Sequence, residues 1–250
     1  MATNALHFVE TAELGPERPK DMTEVAIGES PLDLNKLPKG VVSGNTLIDY
    51  SAAPQEVRSG LSLAMAFASR ATTAAMGPGA DEDDWFAAYK SNLMRLGFTV
   101  SQSAFTTSRF KKRGVAVHKA IIPFLTIALG GAAVGPVILA LLENLKDADK
   151  EKPWITLFDQ ESRKYETREL HFGAVASDTV ESRMRHVAAR LSLVDTETNV
   201  LFFKITDTSA EFESATTTIS VNNGLLAVIE QPLRDRLQTY ALDFIKGASV

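Results

Sequence analysis

The stretch Ile121–Leu142, IIPFLTIALGGAAVGPVILALL, constrains this chain more than any other feature. It holds no charged residue, two prolines and three glycines, and polar sequence lies on both sides. A straight helix over the 23 uncharged residues from Ala120 to Leu142 would be roughly 34 Å long at about 1.5 Å per residue, enough for a bilayer core. Lys111, Lys112, Arg113 and Lys119 precede it; Glu143, Asp147 and Asp149 follow. Gly131 and Gly135 form a GxxxG pair, which lets helix backbones approach closely in lipid.

The middle of the stretch opposes a single span. Gly costs about 1 kcal/mol and Pro about 3 kcal/mol in a helix interior relative to Ala. Gly130, Gly131, Gly135 and Pro136 all fall there, and Pro136 biases Gly135 away from helical geometry. Two short apolar helices, about 115–129 and 136–145, joined by a Gly-rich turn, are expected instead. Pro123 lies inside the first. Three readings follow for this hairpin: a permanent core element under the sheet and the first helices, a segment that leaves a soluble fold for lipid, or a resident membrane hairpin.

The remaining sequence describes a folded protein. Hydrophobic residues make up 45% and charged residues 23% of the 250, near globular averages, so global disorder is excluded. Residues 1–50, rich in Pro, Gly, Asp and Glu, read as an extended polar N-terminal arm ending in a strand before Tyr50. Residues 51–250 read as a single α+β domain. Pro54, with Ser51 as its cap, opens a helix with Val57, Leu61, Ala64 and Ala68 on one face. Its other faces are small and bland, so it should pack on several sides. After Gly77-Pro78-Gly79, Asp81 caps a second helix whose stripe is Trp85, Tyr89, Leu93 and Leu96, stopped by Gly97. These make an early αα-hairpin.

Residues 98–110 read as a strand. Further strands are expected at 154–159, 165–172, 186–194, 200–207 and 212–221, with a hairpin loop at 195–199. Asn223-Gly224 signals a tight hairpin into a strand at 225–230. Pro232 would then start a C-terminal helix. The fold class is α+β: an early αα-hairpin and a central apolar helical hairpin on a mostly antiparallel sheet, with a C-terminal helix. This order of elements is similar to that of the α/β cytolysins, in which helical hairpins flank an antiparallel sheet. The similarity is one of layout and transfers no residue.

Several function classes recede. A net charge of −5, with Lys111-Lys112-Arg113 as the one compact basic run, argues against nucleic acid. The absence of cysteine removes disulfides, thiolate catalysis and iron–sulfur clusters. The N-terminus has no basic start followed by an apolar run, so the expectation is cytoplasmic synthesis without a Sec signal, with release by a signal-independent route. No zinc-protease, nucleophile-elbow or phosphate-loop motif occurs. His7, His118, His171 and His186 are scattered. Glu169 and His171 share a strand face but lack a third partner. The acids at 81–84 diverge around a helix start and suit its dipole. Arg183 and Arg185 alternate with Met184 and His186 and read as an exposed strand face. Trp85 and Trp154 read as core or rim residues.

The reading assigns no catalytic, cofactor-binding or metal-ligating residue and no cofactor. The function expected is a non-enzymatic, toxin-like, pore-forming protein whose apolar hairpin enters lipid, with a bilayer as partner and self-association as one trigger. Lys111, Lys112, Arg113, Lys119, Pro123, Gly130, Gly131, Gly135 and Pro136 would serve the hairpin. His118, beside it, would gate it near pH 6. The alternative is a soluble interaction or structural protein that keeps the hairpin in its core. An enzyme of unrecognised type is the third class.

Overall fold

The computed structural model describes residues 2–15, 40–43, 46–77, 80, 82–102, 106–110, 117–129, 163–164, 167–192 and 210–247. Within them lie five helices: α1 (Ala2–Thr11), α2 (Gln55–Met76), α3 (Glu82–Arg95), α4 (Val117–Leu129) and α5 (Asn223–Gly247). The strands are β1 (Gly40–Ser43), β2 (Thr46–Ala52), β3 (Thr99–Gln102), β4 (Thr106–Phe110), β5 (Arg163–Lys164), β6 (Thr167–Ser177), β7 (Glu181–Ser192) and β8 (Ala210–Asn222). The class is α+β, as the helices-then-strands order predicts.

One sheet collects the strands in the order β1-β2-β6-β7-β8-β3, with β4 also on β8 and β5 also on β6. Every pairing is antiparallel except β2 with β6. The long strands β6 and β7 pair from Thr167↔Ser192 to Ser177↔Ser182 without a slip. The sequence predicts strands at 165–172 and 186–194; the two strands instead run over Thr167–Ser177 and Glu181–Ser192. The turn between them is built by Asp178, whose Oδ1 accepts the Val180 and Glu181 N–H groups at 2.7 and 2.8 Å. Those bonds hold the exposed Asp178 carboxyl below the usual range. The expected strand 98–110 is present as β3 and β4. Gln102 pairs with Thr217 and Thr106 with Ser214, so β3–β4 advances one residue more than β8.

The sheet has two differently covered faces. Successive side chains alternate, so Ile48, Tyr50, Val175, Met184, Ile219 and Val221 share the first face. They join one core with Phe8, Leu61, Phe67, Leu93, Leu226 and Leu233 from α1, α2, α3 and α5. Helix α2 sits centrally in this helical layer, against α3 and α5, and buries Leu63, Ala64, Phe67 and Ala68. The bland sequence of α2 is explained by that position. Gly60 lets α5 come close: a Cβ there would stand 2.8 Å from Leu226 Cγ. Several buried polar side chains are paired across elements. Asn92 Nδ2 donates to Thr72 Oγ1 at 2.9 Å between α3 and α2. Tyr50 Oη lies 3.1 Å from Ser62 Oγ, joining β2 to α2. Trp85, Tyr89, Leu93 and Leu96 form the buried stripe expected of α3, and Gly97 takes a φ of +89° at its end.

Three expectations need correction. The arm over 1–50 is not extended throughout: residues 2–11 are helical, and Ala5, Phe8 and Val9 are buried. Their i, i+3, i+4 spacing makes a short apolar face. Phe8 meets Phe67 edge-on at 5.7 Å, and the Arg95 guanidinium lies 3.7 Å above its ring. Arg236 donates to the Glu10 and Ala12 carbonyls, filling the open end of α1. Ser51 does not cap α2; Pro54 takes the cap position without a side-chain bond, and the Ser51 N–H goes to Asp49 Oδ1.

Asn223-Gly224 does not turn a hairpin, and 225–230 is not a strand. Helix α5 begins at Asn223 and runs through Pro232. Asn222 Oδ1 accepts the Leu225 N–H at 3.2 Å, as a helix cap does. Asn223 Nδ2 donates to the Asp178 carbonyl at 2.7 Å, tying the helix start to the β6–β7 turn. Leu226, Ile229, Leu233 and Leu237 then follow helical spacing and are buried. The strands expected at 154–159 and 200–207, the loop 195–199, the Asp81 cap and Trp154 lie outside the described residues.

Candidate membrane-active surface

Helix α4 is the first arm of the expected apolar hairpin. It lies on the second face of the sheet, against β6, β7 and β8. That face presents Phe172, Val187 and Ala189, all buried and all outside the core shared with the other helices. Helix α4 contributes Leu125 and Leu129, also buried and also outside that core. The molecule is thus layered as helices, sheet and α4. The position differs from the expected core hairpin between sheet and αα-pair: α4 and the αα-pair occupy opposite sides of the sheet.

A helix on an outer layer can bury only one side. Leu125 and Leu129 are four residues apart and point to the sheet. Pro123 and Ile127 project to the opposite side. Pro123 is exposed and Ile127 is 80% exposed. Ile122, Phe124 and Thr126 lie half-buried between. From Pro123 to Ile127 the outward side is therefore apolar where a helix on a water-facing layer would carry charge. Burial of Leu125 and Leu129 holds the helix down at about 1.5–3 kcal/mol per leucine. Pro123 weakens it, because the Lys119 carbonyl loses its N–H partner.

His118 and Lys119 fall in the first turn of α4, and Pro123 in its middle. Lys111, Lys112, Arg113, Gly130, Gly131, Gly135 and Pro136 lie outside the described residues, as does the second arm at 136–145. The structure therefore brings together only the first-arm residues. Ile127 was not singled out from the sequence; the helical phase that sets it against Leu125 was legible, but which phase meets the sheet was not.

The other candidate groups remain apart. Glu169 and His171 are two residues apart in β6, opposite Arg190 and Ala188. His186 stands across from Gly173 and Thr217, its ring 6.4 Å from that of Phe86. His7 is exposed on α1, where with Asn4, Phe8, Met94, Arg95 and Gly97 it lines a shallow cleft of about 290 Å³. Among the described residues no three His, Asp or Glu side chains converge on a metal-sized site.

Among the described residues no helix is long and apolar enough to cross a membrane. At 13 residues, α4 is about 20 Å long, against about 30 Å of hydrocarbon.

No protein-family model and no curated protein matches the sequence. Two solved structures are similar to the chain in outline. One is a delta-endotoxin, at 13% identity and a TM-score of 0.39, covering 86% of this chain and 96% of that one. The other is the Evf virulence factor, at 12% identity and a TM-score of 0.38, covering 75% of this chain and 71% of that one.

Proposed function

We propose that this chain is a non-enzymatic, membrane-active protein of toxin-like type, and that the apolar segment beginning with α4 is the part that enters lipid. The observation that carries this reading is the outward side of α4. A helix lying on the outside of the sheet turns Pro123 and an almost fully exposed Ile127 to solvent. Water gains nothing from that arrangement; a bilayer does, by burial of the same side chains. Because α4 is shorter than the hydrocarbon core, entry needs the apolar residues up to Leu142, or several copies acting together in a pore.

The second reading is a soluble interaction protein in which α4 stays on the sheet. Leu125 and Leu129 favour it, since both are buried and both must be uncovered if α4 departs. Dye release from vesicles, with flotation alongside, separates the two. Leakage with co-flotation is expected from the first reading. An intact, monomeric protein that neither floats nor leaks dye under any condition leaves the second. Running the assay at about pH 7.4 and about pH 5.5, with His118→Gln beside the parent, tests His118 as the gate.

A further inference from the structure

Asn223-Gly224 is the one Asn-Gly pair in the chain. Such a pair carries its own chemistry. The backbone nitrogen of the residue after an asparagine can attack the side-chain carbonyl carbon, and glycine, with no Cβ, hinders that attack least. A nitrogen–carbon bond forms, the bond to the side-chain nitrogen breaks, and ammonia leaves. Water then opens the five-membered imide at either carbonyl, giving aspartate or isoaspartate. Solvent base takes the glycine N–H proton, and water is the only co-reactant. Gly224 is exposed, so that proton is within reach of solvent.

The fold holds the pair out of this reaction. Asn223 is half-buried, and both ends of its amide are engaged. Its Oδ1 accepts from Ser182 Oγ, itself buried. Its Nδ2 donates to the Asp178 carbonyl at 2.7 Å and lies 3.5 Å from Ser177 Oγ. The Asn223 N–H donates to the Val180 carbonyl at 2.8 Å. All four partners belong to the β6–β7 hairpin, whose turn is ordered by Asp178 Oδ1. Asn223 is also the first residue of α5, and helical ψ is about −42°. Ring closure needs the Gly224 nitrogen to swing out of that geometry toward the side-chain carbonyl carbon. The Ser182 bond polarises that carbonyl, but attack cannot follow while the amide faces the turn.

We propose that Asn223 is a self-modifying site that the β6–β7 hairpin keeps closed, and that it deamidates when the start of α5 comes away from that hairpin. The change then opposes return. An aspartate at 223 has no N–H to give the Asp178 carbonyl, and it adds a negative charge to the turn that carries Asp178 and Glu181. Isoaspartate lengthens the backbone by one methylene in the first turn of α5. A carboxylate at a helix start is favoured by the dipole, so the isoaspartyl product is the more disruptive of the two. The affected helix packs on α1 and α2. Helix α4 takes no part.

The test is peptide mass mapping of the full chain held at mildly alkaline pH, both folded and in guanidinium chloride. Residue 223 should convert readily in denaturant and at least about ten-fold more slowly in the folded protein. Well below the unfolding midpoint the folded rate should change little with denaturant, as local opening does. Asp178→Ala removes the acceptor that orders the turn and should raise the folded rate about ten-fold, with no effect in denaturant. Gly224→Ala should slow conversion in both states, which ties the reaction to the imide. The isoaspartyl protein, separated from the parent by its added charge, should unfold at a lower midpoint. Equal rates in the folded and denatured chain, or an unchanged rate in Asp178→Ala, overturn closure by the hairpin. A folded rate that tracks global unfolding at every denaturant concentration overturns the local opening. An isoaspartyl form as stable as the parent overturns the opposed return, and no conversion in denaturant overturns the site itself.

Discussion

Ile127→Asp distinguishes the folded state of this protein from its lipid-bound state. In the folded protein Ile127 is 80% exposed, so an aspartate there faces water and replaces no contact in the core. Exposed substitutions of this kind change stability by about 0.5 kcal/mol or less. Thermal and denaturant midpoints should therefore match the parent closely. In a bilayer the same position is costly. On a helix-insertion scale isoleucine contributes about −0.3 to −0.6 kcal/mol and aspartate about +2.5 to +3.5 kcal/mol at the membrane centre. The difference, about 3–4 kcal/mol, corresponds to roughly a 100- to 1,000-fold loss in lipid entry.

The assay is dye release across a protein titration, paired with a chemical denaturation curve for each variant. The expected result is an unchanged midpoint with leakage shifted by at least two orders of magnitude. Undiminished leakage from Ile127→Asp would refute the argument, because α4 could not then be the segment that meets hydrocarbon. Lost leakage together with a lowered midpoint would refute it differently, since Ile127 would be supporting the fold.

Three further outcomes are expected, two from the structure and one from the sequence. Leu125→Ala should lower stability by about 2–5 kcal/mol in denaturant unfolding, the range for a buried leucine, whereas an undocked α4 would show almost no change. Gly131→Leu with Gly135→Leu should abolish leakage while leaving the far-UV circular dichroism intact, if close backbone packing or a tight turn is required there. Burial raises the phenol pKa of Tyr50 and Tyr89 above 10.0, so the folded state holds protons that the unfolded chain has lost. Their contribution is complete below about pH 10 and falls as pH rises past it. Tyr89→Phe should flatten that alkaline decline in a pH series of unfolding curves.

Much of the fold was legible where a pattern was long enough to exclude alternatives. Residues 55–76 and 82–95 carry helical periodicity over several turns, and Trp85, Tyr89, Leu93 and Leu96 are buried as expected. Short signals were less decisive. Asn223-Gly224 suits a tight turn in isolation, yet Asn222 caps a helix and Asn223 bonds back to the β6–β7 turn. The local turn preference is outweighed by burial of Leu226, Ile229, Leu233 and Leu237 along one side of α5. Ala5, Phe8 and Val9 make too few apolar positions to announce a helix, which is stabilised by Phe67, Arg95 and Arg236 from distant parts of the chain.

The amino-acid sequence on its own shows that residues 120–142 carry no charge, that Pro136 and the central glycines oppose one uniform helix, and that an α+β order surrounds them. Composition and spacing are local properties and need no partner to be read. The tertiary structure alone decided that α4 lies on the face of the sheet opposite the αα-hairpin, that Leu125 points in while Ile127 points out, and that Arg183 and Arg185 extend the same face. Those outcomes depend on strand register and on which face each helix covers. Register is set by pairing between residues far apart in the chain, and a shift of one position would exchange every inward side chain for an outward one.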